Sequence, residues 1–137
     1  MKSEYDEGKM FTVRTSFWIS AAHSLTLSYP SQCSNLHGHN WKISVECKGE
    51  ELNQSCMIVD FTHIKDRVKS LLDHATINEV IQGNPTAEKI ALFIAEKIDS
   101  LLHEQNDNAF CSRVTVEETD GNVAILDRAR TPHQVQR

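Results

Sequence analysis

The sequence predicts an α+β domain, an antiparallel sheet with two helices gathered on one face, in the order ββααββ. Three observations carry this. Two long runs near the start, 11 to 23 and 37 to 48, alternate apolar and polar residues with period 2. The middle, from about 60 to 102, shows apolar residues at helical spacing. A third alternating stretch, 110 to 128, folds about Asp120-Gly121, a turn pair suited to a β-hairpin.

In "FTVRTSFWISAAH" Phe11, Val13, Phe17, Ile19, Ala21 and His23 share one parity. In "HGHNWKISVECK" His37, His39, Trp41, Ile43, Val45 and Cys47 do the same. If the runs pair antiparallel through the connector 24 to 36, the end of the first meets the start of the second, and His23, His37 and His39 converge on one face. A bulge would break that convergence. "DFTHIKDRVKSLLDH" follows an apolar entry, Met57 to Val59; Phe61, Ile64, Val68, Leu71 and Leu72 trace a stripe, Asp60 suits the N-cap, and Asp73 and His74 fall at the C-terminal end. A second helix begins near "NPTAEKIALFIAEKIDSLL", capped by Asn84 or Thr86 with Pro85 in the first turn, and stops before "HEQNDN". In the final hairpin, parity carries Glu118 inward and turns Glu117 outward.

A chain of 137 residues, 39% apolar and 24% charged, suits one globular domain with its own core. Residues 1–10 form an N-terminal extension, 11–128 the domain and 129–137 a C-terminal tail. The net charge of −5 without a basic block argues against a nucleic-acid footprint, although a local basic pocket could still hold an anionic small molecule. The acidic start "MKSEYDEGKM" has no apolar h-region, and nowhere are there the roughly 18 consecutive apolar residues of a membrane span, which predicts a soluble, cytoplasmic protein. Cys33, Cys47, Cys56 and Cys111 form no C-x-x-C pair, so reduced thiols are expected, with the last three structural.

Three imidazoles converging at one point suit a borderline metal such as zinc, and a three-ligand set leaves a fourth position open, as catalytic sites require. The competing reading leaves His37 and His39 in a loop and His23 as a satisfied core histidine. Cys33, four residues before His37, is a candidate general base or nucleophile, a fourth metal ligand, or an inert thiol. Asp73-His74 can serve as an acid–base pair, the aspartate fixing the imidazole's tautomer, or be solvated charge at a helix end. His63, His103 and His133 have no such context and are read as surface. Glu118, carried inward, needs donors: either the paired N–H groups of a purine or pterin edge, or a structural salt bridge to Lys or Arg.

"AAHSL", "CSNLHGHN", "IVDFTHIK", "LDHATIN", "NPTAEKIA" and "VEET" occur in an order and spacing that resembles the 6-pyruvoyl-tetrahydropterin synthase and 6-carboxytetrahydropterin synthase family. The resemblance covers about residues 11 to 128. It implies the tunnelling fold (T-fold), in which ββααββ subunits form a trimeric barrel, two trimers often stack and active sites lie between subunits. It implies His23, His37 and His39 as zinc ligands, Cys33 as catalytic thiol, Asp73 and His74 as acid–base pair, Glu118 as the carboxylate anchoring the pterin, and Thr86 near the pterin.

The substrate so implied is 7,8-dihydroneopterin triphosphate. The spacing C-x-x-x-H-G-H resembles the bacterial 6-carboxytetrahydropterin synthases of the queuosine pathway, whose product is the 6-carboxy compound with acetaldehyde released. Alternatives are a 6-pyruvoyl-tetrahydropterin synthase that keeps the side chain, and a zinc- or pterin-binding module without catalysis. Trp41 stands where the family often has a smaller aromatic or polar residue, and the tail "ARTPHQVQR" has no family counterpart.

Overall fold

The structure is a computed structural model that describes residues 8–129. Four strands, β1 (Phe11–His23), β2 (His37–Gly49), β3 (Phe110–Thr119) and β4 (Asn122–Asp127), form one sheet in the order β1-β2-β3-β4 with all neighbours antiparallel. Two helices, α1 (Phe61–Leu72) and α2 (Ala87–Gln105), intervene in the chain between β2 and β3. The fold class is the one that the alternation and helical stripes predict. His133 and nearly all of the C-terminal tail lie outside the described residues.

Period-2 alternation produces the two faces. Ile19, Trp41, Ile43, Val45, Val114 and Val116 are buried on the inner face, against Ile64, Val68 and Leu72 of α1 and Ile90, Ile94 and Ile98 of α2. Burying such side chains contributes roughly 1.5–3 kcal/mol each, which drives helices and sheet together. The outer face is mixed, with Trp18, Val123 and Ile125 exposed on it, and carries a cross-strand charge row. Arg14 lies 3.5 Å from Glu46, Glu46 lies 3.9 Å from Arg113, and Arg113 lies 2.7 Å from Asp127. The row alternates in sign and ends with opposite charges on the two end strands of the sheet.

The β1–β2 register runs without a shift from Phe11↔Gly49 to His23↔His37, so no bulge disturbs the parity of the three histidines. In contrast, the β3–β4 register shifts between Glu117 and Thr119, next to the turn.

Asp60 caps α1, its carboxylate accepting from the Thr62 N–H at 2.8 Å. Thr86, not Asn84, caps α2, and Pro85 precedes the helix instead of forming its first turn. The helix runs to Gln105, past the polar "HEQNDN" start expected to end it, because Asn106 supplies the C-cap and its side-chain amide bonds the carbonyls of Glu51 and Ile58. Phe61, expected in the buried stripe of α1, is half exposed at the helix start. Between the helices, residues 74–76 run along the outer edge of β1, with a parallel bridge between Ala22 and Thr76. No helix among the described residues is long and apolar enough to cross a membrane.

Candidate active site

Strand pairing brings His23, His37 and His39 together. His23 and His37 are direct Cα partners at the ends of β1 and β2, and His39 lies two residues further on the same face. One ring nitrogen from each histidine can be chosen so that all three lie within 4.8 Å of one another. His23 is fully buried, while His37 and His39 are half-buried.

The hydrogen bonds on the far sides of the rings settle what two of them can offer. His23 Nδ1 lies 2.7 Å from the Pro85 carbonyl oxygen, and His37 Nδ1 lies 2.6 Å from the Asn35 carbonyl oxygen. A carbonyl only accepts, so each Nδ1 carries a proton and donates, and in the neutral ring the lone pair then sits on Nε2. His23 Nε2 and His39 Nε2 are buried with no hydrogen-bond partner among the described residues. Burial also holds the His39 imidazolium below its usual pKa; Glu118 opposes this, and His37 and His23 reinforce it. Neutral imidazoles with inward lone pairs and outward N–H groups held by carbonyls are what a zinc-type cation requires. The donor set fits such an ion.

Trp41 forms the floor of the cluster. It is fully buried, its ring lies edge-on to those of His23 and His39 at 4.9 and 5.2 Å, and its Nε1–H donates to the Ala21 carbonyl at 3.1 Å. The unusual residue is therefore accommodated behind the histidines with its one polar atom bonded.

Glu118 approaches from β3. One carboxylate oxygen lies 3.6 Å from His23 Nε2 and the other 3.9 Å from His39 Nε2. Glu118 and Thr86 line one pocket with Leu25, Ala87 and Asn122, between the start of α2 and the β3–β4 turn. His39 and His74 line another, with Ser20, Ala22, Asn40 and Thr76.

Asp73 and His74 flank Ser20 on the outer edge of β1. The Asp73 carboxylate accepts the Ser20 N–H at 2.9 Å, and the His74 N–H donates to the Ser20 carbonyl at 2.6 Å. The Ser20 hydrogen bond holds the Asp73 pKa below the ordinary carboxyl value despite burial, with His74 and Lys69 adding to the effect. His74 Nε2 lies 3.6 Å from the aspartate, its side chain is largely exposed, and its backbone sits at φ 62°, which turns the chain sharply out of α1.

Cys33 occupies an exposed 3-10 turn, Gln32–Ser34, capped by Ser31. Its thiol lines neither pocket, and among the described residues it makes no hydrogen bond to the histidines or to the Asp73–His74 pair. One chain thus unites the histidines with Glu118, while no hydrogen bond among the described residues joins the Cys33 thiol to the Asp73–His74 pair. Of the other cysteines, Cys47 and Cys111 are buried partners across β2 and β3, and Cys56 is exposed.

The clamping role of two asparagines escaped the sequence reading, which took Asn84 only as a possible helix cap. The Asn78 side chain accepts from the Ser24 N–H and donates to its carbonyl, both at 2.9 Å. Asn84 does the same for Thr26, at 2.6 and 2.7 Å. With the Leu25 N–H donating to the Cys33 carbonyl at 2.8 Å, these clamps hold the connector that carries the thiol. A primary amide copies the donor–acceptor pair of a neighbouring strand, and the only signal for it was two asparagines in aperiodic sequence.

Fold and site define a ββααββ domain with a three-histidine candidate metal centre at one end of its sheet. The chain belongs to the 6-pyruvoyl tetrahydropterin synthase family, whose sequence model matches residues 12–129. It is 28% identical to the 6-carboxy-5,6,7,8-tetrahydropterin synthase of Bacillus subtilis over 122 residues, covering 84% of each chain. It is 35% identical to a putative 6-carboxy-5,6,7,8-tetrahydropterin synthase of Archaeoglobus fulgidus over 126 residues, 90% of this chain and 99% of that one. Among solved structures, the Caenorhabditis elegans 6-pyruvoyl tetrahydropterin synthase superposes with a TM-score of 0.69 at 24% identity, over 88% of this chain and 97% of that one, which establishes the T-fold.

Proposed function

We propose that the chain is a zinc-dependent lyase that converts 7,8-dihydroneopterin triphosphate and water to 6-carboxy-5,6,7,8-tetrahydropterin, triphosphate and acetaldehyde, in the biosynthesis of queuosine and related 7-deazapurines. The observation that carries this reading is the convergence of three imidazoles and one inward carboxylate beside a pocket. The names of the Bacillus subtilis and Archaeoglobus fulgidus relatives favour the 6-carboxy product over the 6-pyruvoyl one.

Zinc held by His23, His37 and His39 supplies Lewis-acid chemistry to oxygens of the ligand. Glu118 anchors the pterin by accepting from its amino-pyrimidine N–H groups, and Thr86 borders the same pocket. The Cys33 thiolate takes a proton from the substrate side chain, and Asp73–His74 shuttles a further proton as the triphosphate leaves. Among the described residues no hydrogen bond joins the Cys33 thiol to Asp73 or His74, and the complete site uses residues of two copies. The active form is accordingly a homo-oligomer built on trimers. β1 and β4 are the end strands of the sheet, residues 74–76 cover β1 only at residues 20–22, and Arg14 and Asp127, exposed at opposite ends of the charge row, support edge-to-edge joining of copies. A cytoplasmic location is in keeping with four free thiols.

Product analysis tests the assignment. Zinc-loaded protein given dihydroneopterin triphosphate should release acetaldehyde in step with 6-carboxytetrahydropterin. A product that keeps its three-carbon side chain would instead identify a 6-pyruvoyl synthase.

A further inference from the structure

Glu118 stands closer to the histidine cluster than a ligand anchor alone requires. Its two oxygens are 3.6 and 3.9 Å from the Nε2 atoms of His23 and His39, both of which are buried and lack a hydrogen-bond partner among the described residues. These contacts are not ordinary hydrogen bonds. At 3.6 and 3.9 Å they exceed the usual hydrogen-bond length. Among the described residues no lysine or arginine pairs with Glu118, so the salt-bridge reading of this inward carboxylate has no partner.

Donor atoms around a tetrahedral metal with bonds of about 2.0–2.1 Å stand about 3.4 Å from one another. The spacing of Glu118 from the two nitrogens is close to that of a co-ligand. The backbone explains how it gets there: the register shift between Glu117 and Thr119 takes Glu118 out of regular pairing with β4. Its side chain remains 27% exposed and borders the pocket beside Thr86, so it has room to turn away from the histidines.

We propose that in the ligand-free protein Glu118 is the fourth donor to the metal held by His23, His37 and His39, and that a ligand with paired N–H groups draws it off. In the exchange the carboxylate–metal bond breaks, the carboxylate accepts the ligand's N–H groups, and the vacated position becomes available to an oxygen of the same ligand. Metal closure and ligand recognition are thus mutually exclusive uses of one carboxylate. This inference rests on the metal and pterin readings above.

The test loads the full chain with cobalt(II) in place of zinc and compares wild type, Glu118→Ala, Glu118→Gln and His39→Ala by visible absorption and by the rate of metal transfer to a chelator. The proposal expects Glu118→Ala to change the cobalt spectrum and to surrender the metal at least about tenfold faster. A 6-methylpterin, which has no side-chain hydroxyl, should move the wild-type spectrum towards that of Glu118→Ala and leave the variant's spectrum unchanged. Glu118→Gln, which keeps the side chain's size, carries the comparison if the alanine variant does not fold. Superposable spectra and equal transfer rates in wild type and the Glu118 variants overturn the proposal, and if His39→Ala still loses cobalt in that case, the metal reading survives. A wild type that takes up no cobalt overturns both.

Discussion

The Nδ1 of His23 lies 2.7 Å from the carbonyl oxygen of Pro85, so the turn that opens α2 also orients an imidazole of the three-histidine cluster. The same three-residue turn uses Asn84 to hold Thr26 and Thr86 to cap the helix and border the pocket beside Glu118. Helix start, thiol connector and histidine cluster are therefore one mechanical unit.

Metal binding should stabilise the fold, since the buried Nε2 atoms of His23 and His39 have no hydrogen-bond partner among the described residues without it. Zinc at a hundredfold excess over its Kd should contribute about 2.7 kcal/mol. For a domain of this size that raises Tm by on the order of 5 to 10 °C. Calorimetry before and after chelation checks this, and His23→Ala should show no zinc response.

Asn78→Ala removes both bonds that hold Ser24. Denaturant titration should show a loss of about 1–2 kcal/mol. Turnover should fall at least tenfold in kcat with zinc content unchanged, because the connector, not the histidine cluster, is released. Asn78→Asp should recover only part of the stability, since a carboxylate accepts the Ser24 N–H but cannot donate to its carbonyl.

The strands, helices and histidine convergence were legible because period-2 and 3.6-residue patterns report which face is buried, and an unbroken β1–β2 register preserves that parity up to His23 and His37. The inward turn of Glu118 was legible by the same parity. Its approach to the imidazoles was not, because a register shift has no periodic signature. The asparagine clamps and the parallel bridge at Thr76 were hidden because they join segments far apart in sequence through single polar groups. The far end of α2 was misjudged because its stop depends on Asn106 reaching Glu51 and Ile58, a tertiary contact.

Asp73 gives the fold an acid-sensitive tie. Its pKa is depressed chiefly by the Ser20 N–H, so its contribution is full above the unfolded carboxyl value of about 3.9 and is lost as pH falls through the lower folded value. Asp73→Asn should therefore be less stable than wild type at neutral pH, and the two should converge in strong acid. Stability measured across that range checks the sign.

Trp41→Phe removes the Nε1–H bond to the Ala21 carbonyl and thins the floor beneath His23 and His39. A loss of about 1–3 kcal/mol is expected in denaturant titration, together with faster zinc release to a chelator.

The central claim is that a thiol and a metal act together on a pterin at a site this chain builds. Its most direct test is turnover of dihydroneopterin triphosphate by wild type and Cys33→Ala, with zinc counted in both. The account predicts full zinc in each protein, 6-carboxytetrahydropterin and acetaldehyde from the wild type, and loss of that turnover in Cys33→Ala. Equal turnover by the two proteins, or none by a folded, zinc-loaded wild type, would contradict it.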